Sequence, residues 1–149
     1  MALVDSFGRT IGYLRVSVTD RCNLSCDYCR TSDMQMLPNN QELLTLEEIG
    51  RLIRLFVELE VGHIRLTGGE PLLRKNLRYL VADLAAIPGL KELSLSSNAT
   101  LLARYAGDLK KAGLNRVNIS LDSLQPKTFA NLTRGGDLAP VLEGIAAAV

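Results

Sequence analysis

Cys22, Cys26 and Cys29 are the only cysteines of the chain, and they stand in one eight-residue loop as C-x3-C-x2-C. Thiolates ligate iron–sulfur clusters, and a fully protein-ligated cubane takes four of them. Three on one short loop hold three irons and leave the fourth open to another ligand. A structural zinc site takes four closed ligands, usually Cys and His. The only histidine, His63, lies far along the chain, so a fourth zinc ligand is not obvious. A disulfide framework wants an even count and a secreted setting. Three inert buried thiols do not require such tight spacing in a polar loop. The pattern therefore points to a cluster with an open coordination position.

The elements that must position this loop alternate strand-like and helix-like runs. A strand over about Gly12 to Thr19 leads straight into the cysteines. Thr45-Leu46-Glu47-Glu48 reads as a capping box opening a helix, with Leu46, Ile49, Ile53, Phe56 and Val57 at helical spacing. A strand follows at His63 to Thr67, then Gly68-Gly69-Glu70-Pro71. A helix over about Asn76 to Ile87 closes at Pro88-Gly89. A third strand, Glu92 to Ser96, precedes Asn98-Ala99. A helix over about Ala103 to Ala112 ends at Gly113, a C-cap residue. The fourth strand is Arg116 to Asp122, and Gln125 to Leu132 and Pro140 to Val149 read as helical.

Repeated βα units imply an α/β fold with a parallel sheet and right-handed crossovers. About four units make a partial (βα) barrel, since a closed eight-stranded one takes roughly 200 residues or more. The whole chain, 1–149, is read as one domain and as the N-terminal half of such a barrel, cut short of its remaining strands.

The strands alternate where fully covered parallel strands run continuously apolar. Leu14, Val16 and Val18 oppose Tyr13, Arg15, Ser17 and Thr19. Ile64 and Leu66 oppose His63, Arg65 and Thr67. Leu93 and Leu95 oppose Ser94 and Ser96, while Val117, Ile119 and Leu121 oppose Asn118, Ser120 and Asp122. The aliphatic face suits a layer of helices. Polar rows facing an interior are costly without partners, so they suit a wet cavity with a polar ligand. Arg15 and Arg65 would bring two guanidinium groups there, apt for phosphate or carboxylate. The bland alternative is an open sheet with one solvated face, its arginines paired to nearby acids. His63 is given no role, since a lone strand histidine is more often a hydrogen-bonding residue than a catalyst.

Bulk properties narrow the rest. Seventeen basic against sixteen acidic residues give no general attraction to nucleic acid, and the lack of tryptophan weakens a base-stacking role. No apolar run reaches membrane-span length, and the N-terminus lacks the regions of a secretory signal. Unpaired cysteines then lead to the expectation of a reducing cytoplasm.

The loop Asp20-Arg21-Cys22-Asn23-Leu24-Ser25-Cys26-Asp27-Tyr28-Cys29 resembles the cluster loop of radical S-adenosylmethionine (SAM) enzymes. Gly68-Gly69-Glu70-Pro71, at the C-terminal end of a strand, resembles their motif for the amino group of the methionyl moiety. Asp5-Ser6-Phe7-Gly8-Arg9 with Tyr13 to Cys22, then Arg65 to Arg74, then Val117 to Leu124, resemble the GTP 3′,8-cyclases in order along the chain. The family commonly follows its third cysteine with an apolar residue and proline, where Arg30-Thr31 stand here. It has threonine in the place of Ser96. It has Asn-Gly where this chain has Asn98-Ala99, which asks Ala99 to take a turn position that glycine fills more easily.

The resemblance implies a [4Fe–4S] cluster on Cys22, Cys26 and Cys29. It implies SAM at Tyr28, Gly68, Gly69, Glu70 and Ser120, and GTP at Arg15, Arg65 and Ser96. It implies a lyase that opens molybdenum cofactor (molybdopterin) biosynthesis, converting GTP to 3′,8-cyclo-7,8-dihydro-GTP through a 5′-deoxyadenosyl radical. The implied partners are an electron donor such as flavodoxin or ferredoxin and, next in the pathway, cyclic pyranopterin monophosphate synthase. No membrane or nucleic acid is expected. The family's second three-cysteine cluster is not among these residues, so this length alone is expected not to turn over GTP. Two other readings remain: another radical SAM enzyme, such as a peptide-modifying one, and a silent metal-binding fragment.

Overall fold

The computed structural model describes residues 2–29 and 43–149. The departure at Arg30-Thr31 lies outside the described residues. Strands β1 (Tyr13–Ser17), β2 (His63–Thr67), β3 (Glu92–Ser97) and β4 (Arg116–Ile119) form one parallel sheet in the order β1-β2-β3-β4. Each strand lies beside its predecessor, the sequential winding of a βα barrel. Helices α1 (Leu46–Glu58), α2 (Leu77–Ala85) and α3 (Leu102–Lys111) form the crossovers, followed by α4 (Pro126–Leu132) and α5 (Ala139–Ala148).

The helices form for local reasons and are held by their apolar sides. Thr45 Oγ1 accepts from the Glu48 N–H at 3.1 Å and Glu48 Oε2 from the Thr45 N–H at 2.7 Å, closing the expected capping box on α1. That helix buries Ile49 and Ile53; α2 buries Leu77, Leu80, Val81 and Leu84. Helix α5 packs on α3. Its Gly144 lies against the Ala99 carbonyl, and a Cβ there would overlap it.

The aliphatic rows lie in the core. Ile64, Leu66, Leu93 and Leu95 of the two central strands are fully buried, whereas Leu14, Val16, Val117 and Ile119 of the outer strands are half-buried. Burying one such side chain contributes about 1.5–3 kcal/mol, so the central pair anchors the sheet.

The first and last strands are shorter than their sequences suggest, because their neighbours run out. Beyond Ser17 the regular pairing ends with β2: the Val18 N–H still donates to the Thr67 carbonyl at 2.9 Å, and Gly68 breaks the extended run at φ +151°. Beyond Ile119, only the Ser120 N–H still reaches β3, at 2.9 Å from the Ser97 carbonyl. Pro71–Leu73 is a 3-10 turn where the sequence suggests only a connection. No helix among the described residues is long and apolar enough to cross a membrane.

Candidate functional site

The cysteine loop leaves β1 at the C-terminal end of the sheet and is clamped from two sides. On one side its entry pairs with the turn after β2: the Gly69 N–H donates to the Thr19 carbonyl at 2.9 Å and the Glu70 N–H to the Arg21 carbonyl at 2.7 Å. On the other it meets the end of α4. The Asp27 N–H donates to the Leu132 carbonyl at 3.0 Å, and Arg134 Nε pairs with Asp27 Oδ1 at 2.6 Å. Tyr28 ties the loop to the end of β4, its hydroxyl donating to Asp122 Oδ2 at 2.6 Å. That bond, with burial second, pushes the Tyr28 phenol well above its ordinary range.

The two glycines also meet the chain's own backbone. A Cβ on Gly68 would overlap the Thr19 backbone, and one on Gly69 the Arg21 backbone. Their bare Cα atoms make room for the chain's own cysteine loop. Glu70 is fully buried. Its Oε1 accepts from the Leu72 N–H at 3.1 Å and Ser97 Oγ at 2.9 Å; its Oε2 accepts from the Asn98 N–H at 2.8 Å. Burial pushes this carboxyl up, and the three donors pull it back.

A cleft of about 220 Å³ brings together Cys22, Cys26, Cys29, Tyr28, Gly68, Gly69, Ser96, Ser120 and Arg15. Of the residues the resemblance singles out, Glu70 and Arg65 are the two that do not line it. Arg15 and Arg65 are nonetheless partners in the β1–β2 register. Arg15 is exposed, with no hydrogen bond or ion pair to a described residue. Arg65 Nε donates to Ser94 Oγ at 3.4 Å, and its guanidinium stands 5.3 Å from the Tyr13 ring centre. Neither is paired with an acid among the described residues, in contrast to the bland alternative. A third arginine on this face, Arg116, does pair with one, at 2.6 Å from Glu92 Oε1. His63 Nδ1 lies 3.3 Å from the Gly12 carbonyl, an ordinary hydrogen-bonding role.

Sequence reasoning passed over the residues that brace the loop. Asn23, Asn98 and Thr100 form a hydrogen-bonded group beside Cys22, and Asp122 anchors Tyr28. Asn98 was visible only as part of a turn. Asn118, paired with Ser96 in the β3–β4 register, keeps its Oδ1 buried and without a partner among the described residues.

The donor set fits an iron–sulfur cluster. All three thiols are free, Cys22 and Cys26 half-buried and Cys29 exposed. No three His, Cys, Asp or Glu side chains among the described residues converge closely enough for a single ion. A cubane spreads its thiolates over separate irons and needs no such convergence. Desolvation, the largest cause, pushes the Cys26 thiol up. A thiolate there calls for positive charge nearby, which a metal supplies.

The radical SAM superfamily model matches residues 16–149. The chain belongs to the radical SAM superfamily. This radical SAM chain is 51% identical over 149 residues to the GTP 3′,8-cyclases of Brucella ovis and Brucella suis, with 98% of the chain and 43% of each relative covered. It thus spans less than half the length of the curated relatives it matches. The crystal structure of BtrN in complex with AdoMet and 2-DOIA matches 91% of the chain and 55% of that protein, at 19% identity and a TM-score of 0.61. That likeness shows the fold. The superfamily's cofactors are a [4Fe–4S] cluster and SAM.

Proposed function

We propose that this chain is the cluster- and SAM-binding part of a GTP 3′,8-cyclase, a lyase of molybdenum cofactor biosynthesis, in which its four βα units are half of a barrel. The observation that carries the reading is Arg15 at the cysteine cleft, in register with Arg65 and paired with no acid among the described residues. Two guanidinium groups with no acidic partner among the described residues suit the polyanionic tail of GTP. The 51% identity to proteins named GTP 3′,8-cyclase supports the same substrate.

In this reading Cys22, Cys26 and Cys29 hold the cluster. Tyr28, Gly68, Gly69 and Ser120 border SAM, and Glu70 shapes the turn that carries the glycines. When bound and reduced, the cluster and SAM supply a 5′-deoxyadenosyl radical. Arg15, Arg65 and Ser96 orient GTP towards it, giving 3′,8-cyclo-7,8-dihydro-GTP. The low-potential electron comes from a donor such as flavodoxin or ferredoxin. The product passes to cyclic pyranopterin monophosphate synthase, and the setting is the cytoplasm.

The test is Arg65→Ala in the complete enzyme. GTP affinity should fall at least about tenfold, the 1.4 kcal/mol scale of one lost charged hydrogen bond. Iron content and SAM affinity should hold. Unchanged GTP affinity would make the arginines structural.

A further inference from the structure

Asn98 stands where the turn after β3 meets the cysteine loop. We propose that Asn98 is a positioning residue that sets the reduction potential of the cluster by donating a hydrogen bond from Nδ2 to Cys22 Sγ. Nδ2 lies 3.8 Å from Cys22 Sγ and 2.9 Å from Asn23 Oδ1, one target for each of its two hydrogens.

The orientation of the amide follows from its other end. Asn98 Oδ1 accepts from the Thr100 N–H at 3.0 Å and from Thr100 Oγ1 at 2.7 Å. A backbone N–H can only donate, so the oxygen faces Thr100 and the NH2 group faces the sulfur. Asn23 Nδ2 donates to Thr100 Oγ1 at 2.8 Å, closing the ring of side chains. From behind, the Asn98 N–H donates to the buried Glu70 Oε2. The donor is thus fixed from both sides by the chain's own groups.

Cys22 Sγ also faces the Leu24 N–H at 3.5 Å, so one sulfur meets two donors. Adding an electron to a cluster increases the negative charge on its sulfurs. A fixed N–H donor stabilises that added charge and raises the potential, one of the protein's recognised means of tuning such clusters. The inference rests on the cluster assignment and is independent of the substrate.

The experiment reconstitutes wild type, Asn98→Ala and Asn98→Asp with iron and sulfide and follows one-electron reduction by electron paramagnetic resonance at set potentials. In Asn98→Ala the reduced-to-oxidised ratio at the wild-type midpoint should fall about tenfold, which is 59 mV for one electron. Asn98→Asp keeps the shape, loses the donor and adds negative charge, so it should fall further. Where Asn98→Ala holds no cluster, Asn98→Asp decides. A wild-type midpoint in a fully loaded variant would overturn the proposal. So would failure of both variants to load with unchanged circular dichroism, which would leave Asn98 a structural brace. Failure of wild type itself to take up iron and sulfide would instead remove the cluster assignment beneath it.

Discussion

After β2 the chain turns through Gly68 at φ +151° and Gly69; after β3 it turns through Ala99 at φ +62°. Both turns lie at the C-terminal ends of central strands, beside the cysteine loop. At Gly68 and Gly69 the missing Cβ is a steric need, because the Thr19 and Arg21 backbones occupy that space. At Ala99 only the dihedral favours glycine, and the methyl group is fully buried in the core. The comparison separates two demands that both read as "glycine" in a sequence. Close approach of two backbones admits no substitute. A left-handed turn admits alanine at a cost, which burial of the methyl offsets.

Gly69→Ala should therefore have the largest effect. The new Cβ must push the Arg21 carbonyl away, breaking the pairing of the turn with the loop entry. Overpacking of this kind costs about 3 kcal/mol. Urea unfolding gives the loss of stability, and iron uptake should fall with it, since Cys22 directly follows Arg21. A loss under about 1 kcal/mol would show that the two segments can separate freely and would erase the contrast with Ala99.

Glu70 joins the two turns, and Glu70→Gln tests that link. The carboxamide keeps one acceptor oxygen but turns an NH2 group towards a backbone or hydroxyl donor. Leaving a buried donor unmet costs about 1–3 kcal/mol. The pH dependence has a definite sign. Burial raises the folded carboxyl above its ordinary value of 4.5, so the folded chain binds this proton more tightly than the unfolded one. Its contribution is complete below that ordinary value and is lost as pH rises through the folded value. The cost of Glu70→Gln, which cannot titrate, should shrink as pH is raised from below 4.5. Asp5, held down chiefly by the Arg9 backbone N–H, slopes the other way and cancels in the difference. A cost that grows with pH would mean that the three donors outweigh burial.

What could be read in advance was local or periodic. The cysteine spacing, the Thr45–Glu48 capping box and the in-and-out rows of Leu14 to Ser17 all lie within one element. The positive φ of Ala99 was legible because Asn-Ala stands where Asn-Gly is usual. What escaped depends on which distant segments touch. The Glu70 carboxylate meets Ser97 and Asn98 across 27 and 28 positions, and Asn98 meets Cys22 across 76. No spacing rule links them. The same holds for Gly69, whose crowding comes from Arg21, and for Arg116, whose partner Glu92 lies on the preceding strand.

Ala99→Gly should have the smallest effect, because its gains and losses oppose each other. A non-glycine residue in the left-handed region costs about 1–2 kcal/mol, which glycine relieves. Against this, removing the buried methyl forfeits about 0.8 kcal/mol, and glycine's greater freedom in the unfolded chain costs about 0.5–1 kcal/mol. The backbone bonds of the turn need no side chain: the Ala99 N–H donates to Ser97 Oγ at 2.9 Å and its carbonyl accepts from the Leu102 N–H at 3.0 Å. Gly144 of α5 rests on that carbonyl, so the helix contact also survives. The net change in urea unfolding should lie within about 0.5 kcal/mol of zero, since opposing effects of this size cancel. A gain above about 1 kcal/mol would mean that relief of the left-handed dihedral outweighs the lost methyl and the added chain freedom. A loss beyond about 1.5 kcal/mol would show that the alanine methyl is a packing residue in its own right, and that the turns after β2 and β3 are both set by sterics.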